Sequence, residues 1–208
     1  TDSMSGGRYR DTYRFNLGGG LDTVIEPGGV AAGYNDKLIF GAGIAPTDIT
    51  VVRSGNHLLF KHANGTDQVT VANWFASSNY WLETVEFADG TVWNSAALTA
   101  AALVFSGTAG NDTITGTVMN DTLLGLAGND NLSAYSGTNI MDGGDGDDVI
   151  TGTADYYNWS ANTLLGGAGN DTLSVDVNYT DNNVFDGGTG TDSMSGGRYR
   201  DTYRFNLG

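Results

Sequence analysis

GTAGNDTIT GTVMNDTLL GLAGNDNLS AYSGTNIMD GGDGDDVIT, residues 107–151, divides into five blocks of nine. The register runs on to residue 204 through a long block (152–165), GGAGNDTLS (166–174), a second long block (175–186), GGTGTDSMS (187–195) and GGRYRDTYR (196–204). The eighth position of each block, or its equivalent in the long ones, reads Ile114, Leu123, Leu132, Met141, Ile150, Leu164, Leu173, Phe185, Met194 and Tyr203. About half of the residues of an ordinary domain are apolar. An unbroken column of ten apolar or aromatic residues therefore marks a repeating structural unit.

The blocks resemble the nonapeptide G-G-x-G-x-D-x-U-x of the RTX, or haemolysin-type calcium-binding, family, and the resemblance covers about half of the chain. It implies an all-β fold built on a parallel β-roll. The first six residues of a block form a loop, and the last three form a short strand with its U side chain pointing inward. The residue types suit such a fold. Gly allows positive φ and close approach of backbones. Asp supplies the hard oxygen that calcium requires. The short strands supply a narrow apolar interior.

Alternate blocks lie on opposite edges of a roll, so they are sorted by parity. The odd blocks carry Asp112, Asp130, Asp148, Asp171 and Asp192, and each of their loops has Gly at positions one and four. The even blocks carry Asp121, Asn139, Asn162, Asn183 and Asp201, and both insertions fall among them. One edge is intact and the other degenerate. The resemblance implies calcium ions between successive odd loops, with the five Asp as carboxylate ligands. The implied backbone ligands are the carbonyls at positions one, three and five: Gly107, Ala109 and Asn111; Gly125, Ala127 and Asn129; Gly143, Asp145 and Asp147; Gly166, Ala168 and Asn170; Gly187, Thr189 and Thr191. Five stacked loops leave four gaps, and the even edge is expected to bind weakly or not at all. About four to six divalent ions would bring the formal charge of −15 to between −7 and −3, relieving repulsion between stacked carboxylates.

A second repeat is longer. Residues 1–18 and 191–208 are both TDSMSGGRYRDTYRFNLG, an offset of 190 residues. The chain is therefore expected to be one period of a tandem array. Asp2, Asp11 and Asp22 (in LGGGLD) would continue the roll into the next copy, and Asp2 and Asp22 join the candidate metal ligands. A site at Asp2 would be incomplete, because no Gly residues precede it.

Residues 26–105 carry no nonapeptides. Strand-like stretches occur at Lys37–Phe40, Ile49–Arg53, His57–His62, Gln68–Phe75 and Leu82–Phe87, with turn signals at Asn64-Gly65 and Asp89-Gly90. Ser95 is placed to cap a short helix in the Ala/Leu-rich stretch that follows. DQVTVANWF (67–75) and WLETVEFADGTVW (81–93) resemble the haemolysin-type calcium-binding-related domain. The expected unit is small and antiparallel, with one short helix, packed around Phe40, Leu59, Val71, Trp74, Phe75, Val85, Phe87 and Trp93. The expected organisation is then residues 1–25 as the end of a preceding roll, 26–105 as this small unit, and 106–208 as the calcium-binding roll.

Composition narrows the function. There is no Cys, which excludes a disulfide scaffold or thiolate zinc site. Lys and Arg number 9 against 24 acidic residues, so nucleic acid is not an expected partner. No apolar run is long enough to span a bilayer, and Thr1–Ser5 does not read as a signal peptide. His57 and His62 lack metalloprotease spacing, and no nucleophile elbow or phosphate loop is present. The chain is thus read as a non-enzymatic, calcium-binding structural repeat of a secreted or surface-exposed protein, such as an adhesin stalk, surface layer or matrix fibre. It would fold on meeting calcium outside the cell. The resemblance implies type I export. Expected partners are calcium and neighbouring copies. Tyr156, Tyr157, Trp159 and Tyr179 in the insertions, with Tyr135, Arg198 and Tyr199, either cover the even edge or contact a copy or a surface polysaccharide. The alternatives are a carbohydrate-binding module and an accessory domain of a secreted RTX enzyme or toxin.

Overall fold

The computed structural model describes residues 1–7, 9–27, 35–153, 161–175 and 182–206. They form two compact units, Thr1–Ala102 and Leu103–Gly208.

The second unit is a wound ladder of parallel strands. One sheet runs β10 (Val104–Ser106), β12 (Thr122–Ala127), β14 (Ile140–Asp145), β16 (Thr163–Ala168), β18 (Asn183–Thr189) and β20 (Asp201–Arg204). The other runs β11 (Thr113–Thr115), β13 (Asn131–Ala134), β15 (Val149–Gly152), β17 (Thr172–Val175) and β19 (Ser193–Ser195). Successive blocks alternate between the sheets, as parity requires. The register stacks Leu123, Met141, Leu164, Phe185 and Tyr203 in one column. It stacks Ile114, Leu132, Ile150, Leu173 and Met194 in the other. The seven from Leu123 to Phe185 are fully buried and form one cluster, with Ile114 and Met194 partly covered at its ends. Side chains alternate across each strand, so β13 and β17 add a second inward residue two positions on, Ala134 and Val175.

Most loop glycines at positions two and four have positive φ, from +84° to +142° in the loops starting at 143, 166 and 187. Leu126 occupies position two of its loop at φ +82°, a conformation that costs a side-chain-bearing residue roughly 1–2 kcal/mol. Leu126 is half exposed, so Leu126→Gly loses little packing. It is expected to raise the roll's midpoint in urea, corresponding to about 0.5–1 kcal/mol once the extra backbone entropy of Gly is subtracted.

The first unit has two mixed sheets. One orders β1 (Ser3–Ser5), β3 (Leu21–Ile25), β7 (Gln68–Val71), β6 (His57–His62) and β5 (Ile49–Ser54). The other orders β2 (Thr12–Phe15), β4 (Lys37–Phe40), β8 (Thr84–Glu86) and β9 (Val92–Asn94). The antiparallel pairs expected of this region are β5–β6, β6–β7 and β8–β9. They are joined to parallel pairs, β1–β3, β3–β7, β2–β4 and β4–β8. The strands of residues 1–25 thus share sheets with those of the middle segment.

The core lies between the two sheets, with Phe40 in contact with Phe15, Phe60 and Phe87 at centroid distances of 6.1, 5.8 and 5.1 Å. Two details differ from the sequence reading. Leu58 and Phe60 face the core, while Leu59 lies on the opposite face and is only half-buried. Alternation fixes one set, and the adjacent Leu58-Leu59 pair hid which. Helix α1 (Ser95–Ala101) is capped by Asn94, whose side chain accepts from Ala97 N at 2.8 Å, rather than by Ser95. Phe40→Ala would remove the ring that three others contact, costing about 3–5 kcal/mol. Since small domains are stable by only about 5–15 kcal/mol, a large fall in the urea midpoint of this unit is expected.

Candidate metal sites along one edge

The five odd loops stack on one edge, and their position-six carboxylates form a ladder. Asp112 N donates to Asp130 Oδ1 at 2.7 Å, Asp130 N to Asp148 Oδ1 at 2.7 Å, Asp148 N to Asp171 Oδ1 at 2.8 Å and Asp171 N to Asp192 Oδ1 at 3.0 Å. One oxygen of each carboxylate from Asp130 to Asp192 therefore holds the preceding rung. The other oxygen differs. Oδ2 of Asp130, Asp148 and Asp171 is buried and has no hydrogen-bond partner. A buried unpaired carboxylate oxygen is costly, so it marks a position built for something else.

The position-one glycines say what that is. Gly107, Gly125, Gly143, Gly166 and Gly187 are absent from the positive-φ residues, so their backbone does not require Gly. The space does. A Cβ on Gly107 would lie 2.7 Å from both Asp112 Oδ2 and the Gly125 carbonyl. At Gly125, Gly143 and Gly166 it would likewise collide with the loop's own Asp Oδ2 and the position-one carbonyl of the next loop. Each cradle thus brings a carboxylate oxygen and a carbonyl oxygen from adjacent loops to one point. Oxygen donors of this kind suit calcium, which takes several at 2.3–2.6 Å. Among the described residues no three carboxylate or imidazole side chains converge on one point, so most ligands would be backbone carbonyls. If the space belongs to a cation, Gly166→Ala closes it, at an ordinary φ but with the Asp171 carboxylate and the Gly187 carbonyl displaced. The expected result is one bound ion fewer by equilibrium dialysis, with the other gaps retained.

The candidate residues are not all equivalent. Asp112 Oδ2 accepts from Thr108 N at 2.6 Å and Thr108 Oγ1 at 2.9 Å, so this carboxylate is turned into its own loop. The carbonyls of Asp145, Ala168 and Thr189 accept from Gly128 N, Gly146 N and Gly169 N, leaving each one further lone pair. Position five carries a second ladder that the sequence reading did not assign. Side-chain oxygens of Asn111, Asn129, Asp147 and Asn170 accept from the position-five N–H of the next loop, at 2.7–3.1 Å. Its signal was the run Asn, Asn, Asp, Asn at one position, all short oxygen-bearing side chains.

In the first unit, Asp2 N donates to Asp22 Oδ1 at 2.7 Å, the same ladder link. The loop 17–22 has Gly18 and Gly20 at φ +83° and +81°. Its amides close on Asp67, which accepts from Gly18 N at 2.6 Å, Gly20 N at 2.9 Å and the Asn64 side chain at 2.9 Å. Those N–H groups, Gly18 first, hold the Asp67 carboxyl below its usual range. His57 and His62 each accept a backbone N–H through Nδ1, from Asn73 and Asn64, which is a turn-fixing role.

The electrostatics set the odd edge apart. Burial pushes the Asp148 carboxyl up to about 6, opposed by the Asp130 N–H and reinforced by the carboxylates of Asp171, Asp130 and Asp147. Burial likewise raises Asp171. The even edge has Asn where these stand. Asp121 N donates to Asn139 Oδ1, Asn139 N to Asn162 Oδ1 and Asn162 N to Asn183 Oδ1, at 2.9–3.1 Å. Asn139 Nδ2 also donates to the Tyr135 and Gly137 carbonyls at 3.1 and 3.2 Å. The Asn139 amide N–H thus binds carbonyls at positions two and four of its own loop. The insertion aromatics Tyr156, Tyr157, Trp159 and Tyr179 lie outside the described residues.

Comparison with known proteins agrees with this geometry. Four segments, residues 104–132, 115–150, 156–176 and 179–203, match the RTX calcium-binding nonapeptide repeat, the first two overlapping. Residues 104–203 thus carry RTX nonapeptide repeats. Residues 57–97 match the haemolysin-type calcium binding protein related domain. The iron-regulated protein FrpA of Neisseria meningitidis serogroup C is 37% identical over 106 residues, half of this chain and 9% of FrpA. The chain therefore spans about a tenth of that relative's length. The extracellular lipase LipA of Serratia marcescens aligns with 90% of the chain and 31% of its own length, at 19% identity and a TM-score of 0.23. A similarity that low bears on neither fold nor activity. Among the described residues no helix is long and apolar enough to cross a membrane.

Proposed function

We propose that this chain is a calcium-folded structural module of a secreted protein, one 190-residue period of a tandem array, with no catalytic step of its own. The observation that carries the reading is the trio of buried, unpartnered oxygens on Asp130, Asp148 and Asp171, each beside a glycine whose missing Cβ leaves room for a cation. Three ions per chain are assigned to these gaps. A fourth, at Asp112, requires that carboxylate to leave Thr108.

Calcium then couples location to folding. Where calcium is scarce, the stacked carboxylates oppose the roll and the chain passes through an export channel unfolded. Outside, the metal's binding free energy becomes folding free energy. The repeated 18-residue segment favours an extended fibre, stalk or layer with neighbouring copies as partners. A carbohydrate-binding face is the second reading, and it rests on the exposure of Tyr135 and Tyr199. The test is calcium titration followed by far-UV circular dichroism, with bound ions counted by equilibrium dialysis. Folding that saturates at three ions supports the reading. Strand content independent of calcium, with no ion retained, overturns it.

A further inference from the structure

We propose that residues 191–206 are a joint: the rung on which the next copy's residues 19–102 are built, so that both sheets of the roll run without interruption into the following first unit. This rests on the reading of the chain as one period of an array.

The argument starts from one sequence in two environments. As residues 191–206 it is the last rung of the roll, with β19 paired to β17 and β20 to β18. As residues 1–16 it is the first rung of the other unit, with β1 paired to β3 and β2 to β4. All four pairings are parallel, and they use opposite edges of the segment. Towards the preceding rung, Ser193 N donates to the Asp171 carbonyl. Towards the following rung, the Asp2 carbonyl, equivalent to that of Asp192, accepts from Thr23 N, and the Asp11 carbonyl accepts from Lys37 N. No group is needed twice, so a single copy can make both sets of bonds.

The carboxylate ladders pass through the segment in the same way. Asp192 Oδ1 accepts from Asp171 N, while the N–H of its equivalent, Asp2, donates to Asp22 Oδ1. Together these are the two links that the interior rung at Asp148 makes. On the even edge Asp201 Oδ1 accepts from Asn183 N at 3.2 Å, and its equivalent Asp11 donates its N–H to Asp36 Oδ1 at 2.8 Å.

Burial shows which side is unfinished. Tyr13 and Phe15 are 6% and 2% exposed, whereas the same residues as Tyr203 and Phe205 are 39% and 79% exposed. The cover that Phe15 receives includes Phe40, edge-on to its ring. The Asp192 cradle is one-sided too: a Cβ on Gly187 would meet Asp192 atoms, and no carbonyl of a next loop is among its three nearest neighbours. A following copy would bring its loop 17–22 to that place and complete one more site for a divalent cation.

The test is a permuted chain of residues 103–208 followed by 19–102, in which Gly208 is joined to Gly19 as Gly18 is in the present chain. With calcium it is expected to melt in one transition, and Phe205→Ala or Tyr203→Ala should lower its midpoint by about 10 °C or more. In the 1–208 chain Phe205→Ala, at a residue 79% exposed there, should move the midpoint by under about 2 °C. If the permuted chain does not fold, the same comparison is made at the central joint of a two-period chain, residues 1–190 followed by 1–208. Silence of Phe205→Ala in whichever of these chains folds, or a following unit that melts independently of the roll, overturns the joint. Calcium-dependent folding of the roll in those same samples would leave the calcium-module reading standing while the joint falls.

Discussion

Dialysed against a chelator at pH 7, residues 103–208 are expected to lose their strand content while residues 1–102 keep theirs. The two units differ in what holds them. The first has seventeen buried apolar residues clustered between two sheets, and the roll has nine, spread along its two sheets. Against that thin core stand Asp130, Asp148 and Asp171, all at most 2% exposed. Strands stacked about 4.8 Å apart set the spacing of these like charges. A site filled at a hundred times its dissociation constant contributes about 2.7 kcal/mol. Three such sites contribute about 8 kcal/mol, the size of a whole domain's stability. Their removal should therefore unfold the roll outright. Hydrogen exchange resolved along the chain would read the two units separately, and protection retained in residues 122–175 under chelation would sink the expectation.

The same carboxylates give the metal-free roll an inverted pH dependence. The Asp148 carboxyl is raised from 3.8 to about 6 and that of Asp171 is raised as well. Between those values the folded state binds more protons than the unfolded state. Stability therefore falls as pH rises through the window. In chelator, the roll should regain strand signal on acidification from pH 7 towards pH 4. With calcium present, protons compete for the same oxygens, and the apparent calcium affinity should weaken below about pH 6. A chelated roll that is less folded at pH 4.5 than at pH 7 would contradict the assignment of these carboxyls as buried and unpaired.

The roll was legible in the sequence because its physics is strictly periodic. The column from Leu123 to Phe185 and the parity of Asp against Asn were sufficient to place every described block on its sheet. The edge ladder was not legible. GTAGND and GGAGND differ at position two alone, and the repeat pattern does not say that this turns Asp112 back to Thr108 and leaves Asp171 free of such a bond. The difference lies in position two, where Thr108 supplies a hydroxyl and Gly167 supplies positive φ. The first unit was half legible. Its hairpins announced themselves through Asn64-Gly65 and Asp89-Gly90. Its parallel pairs join strands far apart in sequence, such as Leu21 with Gln68, and local patterning carries no record of such contacts. The cap at Asn94 lost to Ser95 in the reading because both residue types cap well and they are adjacent.

Replacing Asp130, Asp148 and Asp171 together by Asn is expected to free the roll from calcium. The even edge already shows the geometry. There an Asn Oδ1 accepts the preceding rung's N–H, as Asp Oδ1 does on the odd edge. The Asn139 amide nitrogen turns to the Tyr135 and Gly137 carbonyls and to Asn162 Oδ1. A neutral side chain therefore keeps the ladder, bonds carbonyls of its own loop, and removes three buried charges. The exchange has a cost, since Asn162 Nδ2 is buried without a partner, and each such orphan costs roughly 1–3 kcal/mol. Against that cost stands the removal of the carboxylate repulsion. The triple Asn chain should accordingly melt at the same temperature with calcium or chelator, and retain none of the three ions in dialysis. The triple Ala chain is the control that separates charge from ladder. It deletes the same charges but leaves the N–H groups of Asp112 and of the residues at 130 and 148 without their acceptors, so it should unfold in both buffers. If the Asn chain still needs calcium to fold, the metal is doing more than compensating these three carboxylates, and the cradle reading fails.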